Sequence, residues 1–264
     1  MPRFPGLPVL GLALLLIAPR RASAAELLMV ADEFPAMQVL ARQLKRGGGY
    51  ESRIVAQTNL PPALDPFAAV FVYIHGVLTA PTEEALIRFT ESGGRLIALH
   101  HSISSGKRTN AHWFNFLGVA LPPGDVSQGG YKWIESISQD ILNLAPTHPV
   151  TSREVPYPAT FDLPSAAPGG ATRRLPGFTL GHSEVYLNHR LTGAHTVLLG
   201  FRYRDAKTGV EYMQDHAGWL RTAGRGLVFY FQPGHSAAEF DDPAYARILL
   251  NALQYRPDAV GTAN

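Results

Sequence analysis

The 264-residue chain contains no cysteine, so neither a disulfide nor a cysteine nucleophile is available to it. Such a composition suits a periplasmic or secreted enzyme that relies on its core, without demanding that compartment. Basic and acidic residues nearly balance, 23 Lys and Arg against 21 Asp and Glu, and there is no polybasic run. Phosphate neutralisation needs clustered cations, so a nucleic-acid partner is not expected. No glycine-rich dinucleotide fingerprint occurs, so no nucleotide cofactor is expected, and no HExxH-type local spacing marks a metal site. Gly181-His182-Ser183-Glu184-Val185 and Gly234-His235-Ser236-Ala237-Ala238 begin like the elbow of a serine hydrolase but lack its closing glycine. Gly224-Arg225-Gly226 precedes a strand pattern rather than opening a helix, which excludes a phosphate loop. Internal repeats and low-complexity segments are missing too.

The first 24 residues read as a secretory signal peptide. Arg3 supplies the positive charge, Val9 to Ala18 is a short apolar run, and Ala22-Ser23-Ala24 is a small-residue cleavage site. The run is too short to span a bilayer, although Arg20 and Arg21 beside the cleavage site leave an uncleaved membrane anchor as the alternative. No later segment has membrane-spanning character. The leader holds three of the basic residues and none of the acidic ones, so residues 25–264 carry 20 against 21 and form one expected domain.

The rest is organised around Gly93-Gly94-Arg95-Leu96-Ile97-Ala98-Leu99-His100-His101, a glycine turn, a buried strand and two adjacent imidazoles where the chain leaves the sheet. Before it, Glu26 to Ala31 predicts a strand, Pro35 to Lys45 a helix stopped by Gly47-Gly48-Gly49, Tyr50 to Gln57 a strand, and Ala68 to Ile74 a fully buried strand. Thr82-Glu83-Glu84 is expected to open the next helix. This alternation implies a parallel sheet. After it come a short helix at Trp113 to Gly118 and an irregular, strand-containing excursion from Leu121 to Gly170, for which a lid over the crevice is the expectation. Strands follow at Ser183 to Leu187, Thr196 to Phe201, Glu211 to Met213 and Gly226 to Phe231, then a helix from Asp242-Pro243 and a loose tail after Arg256.

Ligands in open α/β folds sit at the carboxyl ends of parallel strands. His100 and His101 stand there, and His75 and His235 follow their own strands in similar contexts. Imidazoles so placed can act as acid or base near neutral pH, or bind a metal through a neutral nitrogen. Glu184 and Tyr186 share a strand face, and Asp32 follows the first strand. His75, His100, His101, Glu184 and His235 are the ligand types of a Zn²⁺ or similar divalent site, with His100, Glu184 and His235 as its expected core.

The Gly93 to His100 segment, Leu117-Gly118, His148-Pro149-Val150-Thr151, Glu184-Val185-Tyr186, and Gly224 to Tyr230 with Gly234-His235 form an ordered set. Across about residues 26 to 255 that set resembles the ThuA-like, or trehalose-utilisation, family. The resemblance implies a three-layer flavodoxin-like fold with a mostly parallel central sheet, related to class I glutamine amidotransferases. In those enzymes a nucleophilic cysteine follows a strand at an elbow; this chain has His100 there, or His101, which excludes glutamine hydrolysis by that route. It also implies a carbohydrate ligand, to which Tyr186, Trp113 and Trp219 could offer aromatic faces, with Asp32 and His75 as further substrate contacts. Ser183-Glu184 replaces the family's Asp-Glu, and His216-Ala217-Gly218-Trp219 replaces a proline-led segment.

The leading functional expectation is an exported enzyme acting on a disaccharide or an oxidised (keto) glycoside. His100, His101, Glu184 and His235 would be its catalytic groups, with or without a divalent ion. The alternatives are a non-catalytic carbohydrate-binding protein on the same fold, and a docking domain of a larger exported assembly.

Overall fold

A computed structural model describes residues 26–164 and 170–257. The expected leader and most of the tail after Arg256 lie outside the described residues. No described helix is long and apolar enough to cross a membrane.

Five strands run parallel. They are β1 (Glu26–Ala31), β2 (Glu51–Val55), β3 (Ala69–Tyr73), β4 (Arg95–Leu99) and a later strand, Gly226–Phe231. Helix α1 (Phe34–Gly48) links β1 to β2, and α2 (Ala80–Glu91) links β3 to β4. Alternation along each strand sorts the apolar residues onto two faces. Leu27, Met29, Phe71, Ile97 and Leu99 pack with Met37, Leu40 and Leu44 of α1. Leu28, Val30, Val70, Leu96 and Ala98 pack with Leu86 and Phe89 of α2.

Two helix boundaries differ from the sequence pattern. Thr79 rather than Thr82 caps α2, accepting from the Thr82 amide, because Pro81 fits the first helical turn, where its missing N–H costs nothing. In α1 the first two glycines remain helical, packed close to Leu250, and Gly49 at φ 71° terminates the helix. The second strand is also shorter than expected, Glu51 to Val55.

The expectation of a mostly parallel sheet needs correction. Beyond β4 come α3 (Trp113–Leu117), β5 (Val119–Ala120), β6 (Lys132–Asn143), α4 (Pro149–Ser152), β7 (Ala159–Leu163), β8 (Arg173–Leu187), β9 (Arg190–Leu191), β10 (Thr196–Arg204), β11 (Glu211–Ala223), β12 (Gly226–Phe231) and α5 (Pro243–Gln254). The ten-stranded sheet is ordered β2-β1-β3-β4-β12-β11-β10-β6-β8-β7, and every pairing from β12 to β7 is antiparallel. β5 and β9 form a separate antiparallel pair. Parallel neighbours need long crossovers, whereas the tight Gly209 and Gly224 turns can only fold strands back on themselves.

The stretch from Leu121 to Gly170 contains strand as expected: it adds β6 and β7 to the large sheet, with α4 and loops making up the rest of its described residues. Its periodicity is faint because most of the first half of β6 is exposed on both faces. The β6/β8 register breaks around Ser136 and His182, both left-handed at φ 60° and 53°. Breaks of this kind bend a strand pair. The bent ends carry Glu184 and Tyr186 to the carboxyl ends of the parallel strands.

Gly226 opens β12 where a Cβ would collide with the carbonyl oxygens of Thr90 and Gly94. Gly226→Ala is expected to destabilise the fold by about 2–3 kcal/mol, through overpacking against backbone that cannot yield. For a domain of this size that is a fall of roughly 5–10 °C in Tm. An unchanged thermal melt would refute it.

Candidate active site

Five segments meet at one rim. β4 delivers His100 and His101, β3 His75, β1 Asp32 and Glu33, β12 His235, and the bent end of β8 Glu184 and Tyr186. His100 sits at φ 30°, a left-handed conformation unusual for a residue with a side chain. Gly234 makes room for it: its own φ is 126°, and a Cβ there would lie 2.8 Å from Phe240 and 3.5 Å from the His100 Cβ.

Glu184 Oε2 is the centre of the cluster. His100 Nε2 lies 2.8 Å away, Tyr186 Oη donates at 3.1 Å, His235 Nδ1 is at 3.4 Å and His101 Nδ1 at 4.0 Å. Burial alone would raise the Glu184 pKa, but hydrogen bonds from His100 and Tyr186, with His235 close by, hold it at about 2. The carboxylate is therefore anionic at neutral pH, and Tyr186 must point its single proton at it.

That fixes the neighbouring ring. His101 Nδ1 is 3.0 Å from Tyr186 Oη, which has already spent its proton, so Nδ1–H donates and Nε2 carries the lone pair. Nε2 is buried and has no hydrogen-bond partner. Burial, reinforced by the neighbouring imidazoles and Lys107, pushes the His101 pKa far below its usual value and keeps the ring neutral. The result is a Glu184–Tyr186–His101 relay ending in a bare nitrogen lone pair.

His235 is the opposite case. Its 3.4 Å contact with Glu184 is too poorly aligned for a full hydrogen bond, yet the carboxylate as acceptor and as charge raises its pKa, against partial burial. It keeps its proton to higher pH than a free imidazole.

His100 is anchored differently. Its Nδ1 donates to the Gln232 carbonyl, which leaves Nε2 aimed at Glu184. Only a proton or a cation on that side avoids setting two lone pairs against each other.

Around this core lie residues that the sequence pattern did not single out. Gln139 donates to Ser183 Oγ at 2.7 Å and to the Glu184 carbonyl at 3.0 Å, and accepts from Gln232 at 3.2 Å. It thereby ties β6, β8 and β12 together beneath the cluster. Lys107 is wholly buried, its ammonium donating to the carbonyls of Ile74 and Gly76 at 2.7 Å and His101 at 2.9 Å. It pins the two turns that bear His75 and His101, while burial draws its pKa down to about 7. Only a lysine within a small-residue loop hinted at it, and nothing local in sequence marks either glutamine.

Asp32 accepts from the His75 amide at 2.8 Å and lies 3.1 Å from its Nδ1, so its role here is to orient His75. The ring of His75 stacks on His101 with centroids 3.5 Å apart. His75 and His235, with Asp32 and Glu33, form the solvent-facing mouth; His100, His101 and Glu184 are buried behind it.

The expected aromatic platform is not built. Trp113 is fully buried and donates its indole N–H to the Ser102 carbonyl at 2.8 Å. Trp219 is fully buried against His195 and Tyr230, because strand alternation turns it into the second core. Neither presents a face to a sugar, and Tyr186, 1 % exposed, contributes its hydroxyl rather than its ring.

A cleft of about 730 Å³ lies elsewhere, between β6, β10 and β11, with Leu142, Phe201, Met213, Gln214, His189 and His216 in its walls. We place the chemistry at the histidine rim despite the size of that cleft. The amides and His216 in the cleft already satisfy one another, whereas the rim ends in an unpartnered base.

Comparison with known proteins agrees with this architecture. A ThuA-like protein from Bacteroides uniformis ATCC 8492 superposes with a TM-score of 0.59 at 17% identity, over 89% of this chain and 93% of that one. The cold-adapted β-galactosidase of Rahnella sp. R3 superposes at 0.51 and 11% identity, over 85% of this chain but 30% of its own. The carbohydrate deacetylase Agd3 does so at 0.52 and 12%, over 87% and 32%. No curated protein is similar to the chain by sequence. The ThuA family, described as trehalose utilisation, matches residues 31–256. With the imidazole rim and the mixed sheet that presents it, the chain belongs to the ThuA family.

Proposed function

We propose that this protein is an acid–base enzyme of carbohydrate metabolism, acting on a disaccharide or its oxidised keto-glycoside. One observation carries the reading: two imidazoles beside one carboxylate have their proton affinities moved in opposite directions. That of His101, with Nε2 bare, is lowered by burial, and that of His235 is raised by the Glu184 carboxylate. Groups whose environments push their proton affinities apart are suited to serve as base and acid in one turnover. His101 Nε2 would take a proton from a carbon or hydroxyl beside a carbonyl, and His235 would supply one to the oxygen where charge develops. Isomerisation and elimination both fit this proton inventory. The carbohydrate assignment rests on the family's link to trehalose utilisation.

The parallel half, ordered β2-β1-β3-β4-β12 with helices packed on both faces, supports a flavodoxin-like class. Export to the periplasm or beyond is part of the proposal, resting on the pattern of residues 1–24.

A second reading is favoured by His100. With Nδ1 donating to a carbonyl, its Nε2 is the ligand atom left to a cation that takes the place of its proton, and His100, His101, Glu184 and His235 place one ligand atom each within 4.8 Å. A divalent ion such as Zn²⁺ there would polarise the substrate carbonyl.

Turnover of disaccharides and their keto derivatives, followed by NMR with and without added Zn²⁺, tests both readings. His235→Gln is expected to lower kcat about 100-fold while calorimetry still registers the ligand. Turnover that needs the added ion selects the second reading. Binding without turnover under any condition would make the protein a carbohydrate-binding module and end the enzymatic proposal.

A further inference from the structure

The mouth of the site holds a set of groups that acid–base chemistry does not use. Asp32 Oδ1 sits 3.1 Å from His75 Nδ1 and accepts from it, which leaves Nε2 as the ring's remaining ligand atom. That nitrogen is 3.7 Å from Glu33 Oε2. His101, its Nδ1 committed to Tyr186, has the buried and unpartnered Nε2 as its remaining donor atom. Glu33, His75 and His101 each place one ligand atom within 4.8 Å of the others. A tetrahedral ion with bonds of about 2.1 Å holds its ligands about 3.4 Å apart, close to the His75–Glu33 spacing.

Each imidazole in this set has its other nitrogen fixed by an acceptor, Asp32 for His75 and the Tyr186–Glu184 relay for His101. Outer partners of this kind are what set tautomer and basicity in histidine–metal sites. Two imidazoles and one carboxylate match Zn²⁺, with water completing the shell.

We propose that Glu33, His75 and His101 form an inhibitory divalent-cation site. An ion of the Zn²⁺ type bound there takes the His101 Nε2 lone pair, so that it and the substrate proton compete for one nitrogen. No covalent bond of the protein is made or broken, and any proton on a ligating nitrogen leaves to solvent. The inference rests on His101 being the base, but occupancy of the site can be measured without turnover.

Co²⁺ reports occupancy directly, because tetrahedral nitrogen and oxygen coordination gives it strong visible absorption. Titration of the wild type is expected to saturate at one ion per chain. Glu33→Gln and His75→Gln should each weaken binding at least about 10-fold, while His235→Gln leaves it within about threefold, with melting curves checking that each variant is folded. In the turnover assay Zn²⁺ should inhibit, and its apparent inhibition constant should rise at least about 10-fold in Glu33→Gln. Absence of saturable Co²⁺ binding overturns the proposal. So does binding that ignores Glu33 and His75 but disappears in His235→Gln, which would put the ion in the Glu184 cluster. Binding as described with activation by Zn²⁺ overturns the inhibitory role and keeps the site. Binding as described with no turnover on any substrate keeps the site and defeats the acid–base reading alone.

Discussion

Glu184→Gln is expected to lower kcat about 1,000-fold, with ligand affinity changed far less. The carboxylate is the common acceptor for His100, Tyr186 and, more weakly, His235. An amide in its place accepts through one oxygen only, and its NH₂ would face groups that are themselves donors. Tyr186 then loses its fixed orientation and can turn its proton toward His101 Nδ1. That reverses the ring's tautomer and moves the lone pair away from Nε2. At the same time His235 loses the charge that raises its proton affinity. Acid and base fail together, so the defect exceeds that of His235→Gln alone. The pH profile supplies a sharper sign. An acid with an elevated pKa stays competent to higher pH, so the alkaline limb of kcat should move to lower pH in the variant. A profile that falls uniformly, with its limbs unmoved, would mean that Glu184 is merely structural.

The second large effect is loss of stability in acid. His101 and His189 are buried and neutral in the folded protein, their pKa values depressed chiefly by burial. Once unfolded, both rings take up protons below about pH 6.5. The unfolded state then binds more protons, and stability falls by about 1.4 kcal/mol per pH unit for each group. Two groups give roughly 5 kcal/mol between pH 6 and pH 4, comparable with the whole stability of a typical domain. Glu184, held at about 2, adds stability that is complete above its unfolded value near 4.5 and is lost as pH falls toward 2. His235 works the other way: its raised pKa contributes most below about 6.5, and that part is lost as pH rises through its folded value. Urea unfolding at pH 7, 6, 5 and 4 should therefore show a steep loss below pH 6. A midpoint that holds steady down to pH 4 would contradict the neutral buried rings.

The parallel half of the fold was legible because its strands are continuous apolar runs and its helices have one apolar face. Both patterns arise from local packing. In the antiparallel half parts of β8, β10 and β11 were legible too, but β6 was not, since Lys132 to Ser138 alternates little when most of that segment is exposed on both sides. Convergence of His75, His100 and His235 could be read from a single rule, that parallel strands end at one rim. Glu184 was found by its type and its partner at Tyr186, but the bend that brings it to the rim comes from backbone conformation at Ser136 and His182, neither of which is glycine. Glu33 and Lys107 were missed because an acid at a helix start and a lysine in a loop ordinarily face water. The tryptophans were misread for the converse reason: an aromatic residue in a strand does not announce which core it fills.

The bent β6/β8 arm means that the proposed reaction centre is assembled across a seam, with imidazoles from one half of the sheet and their counter-charge from the other. A chain whose halves folded but failed to dock would retain most of its secondary structure and none of the chemistry. Proton-transfer competence is therefore a stricter reporter of correct folding than any spectroscopic measure of helix or strand, and damage far from the rim, at the hinge of the arm, should be as silencing as damage within it.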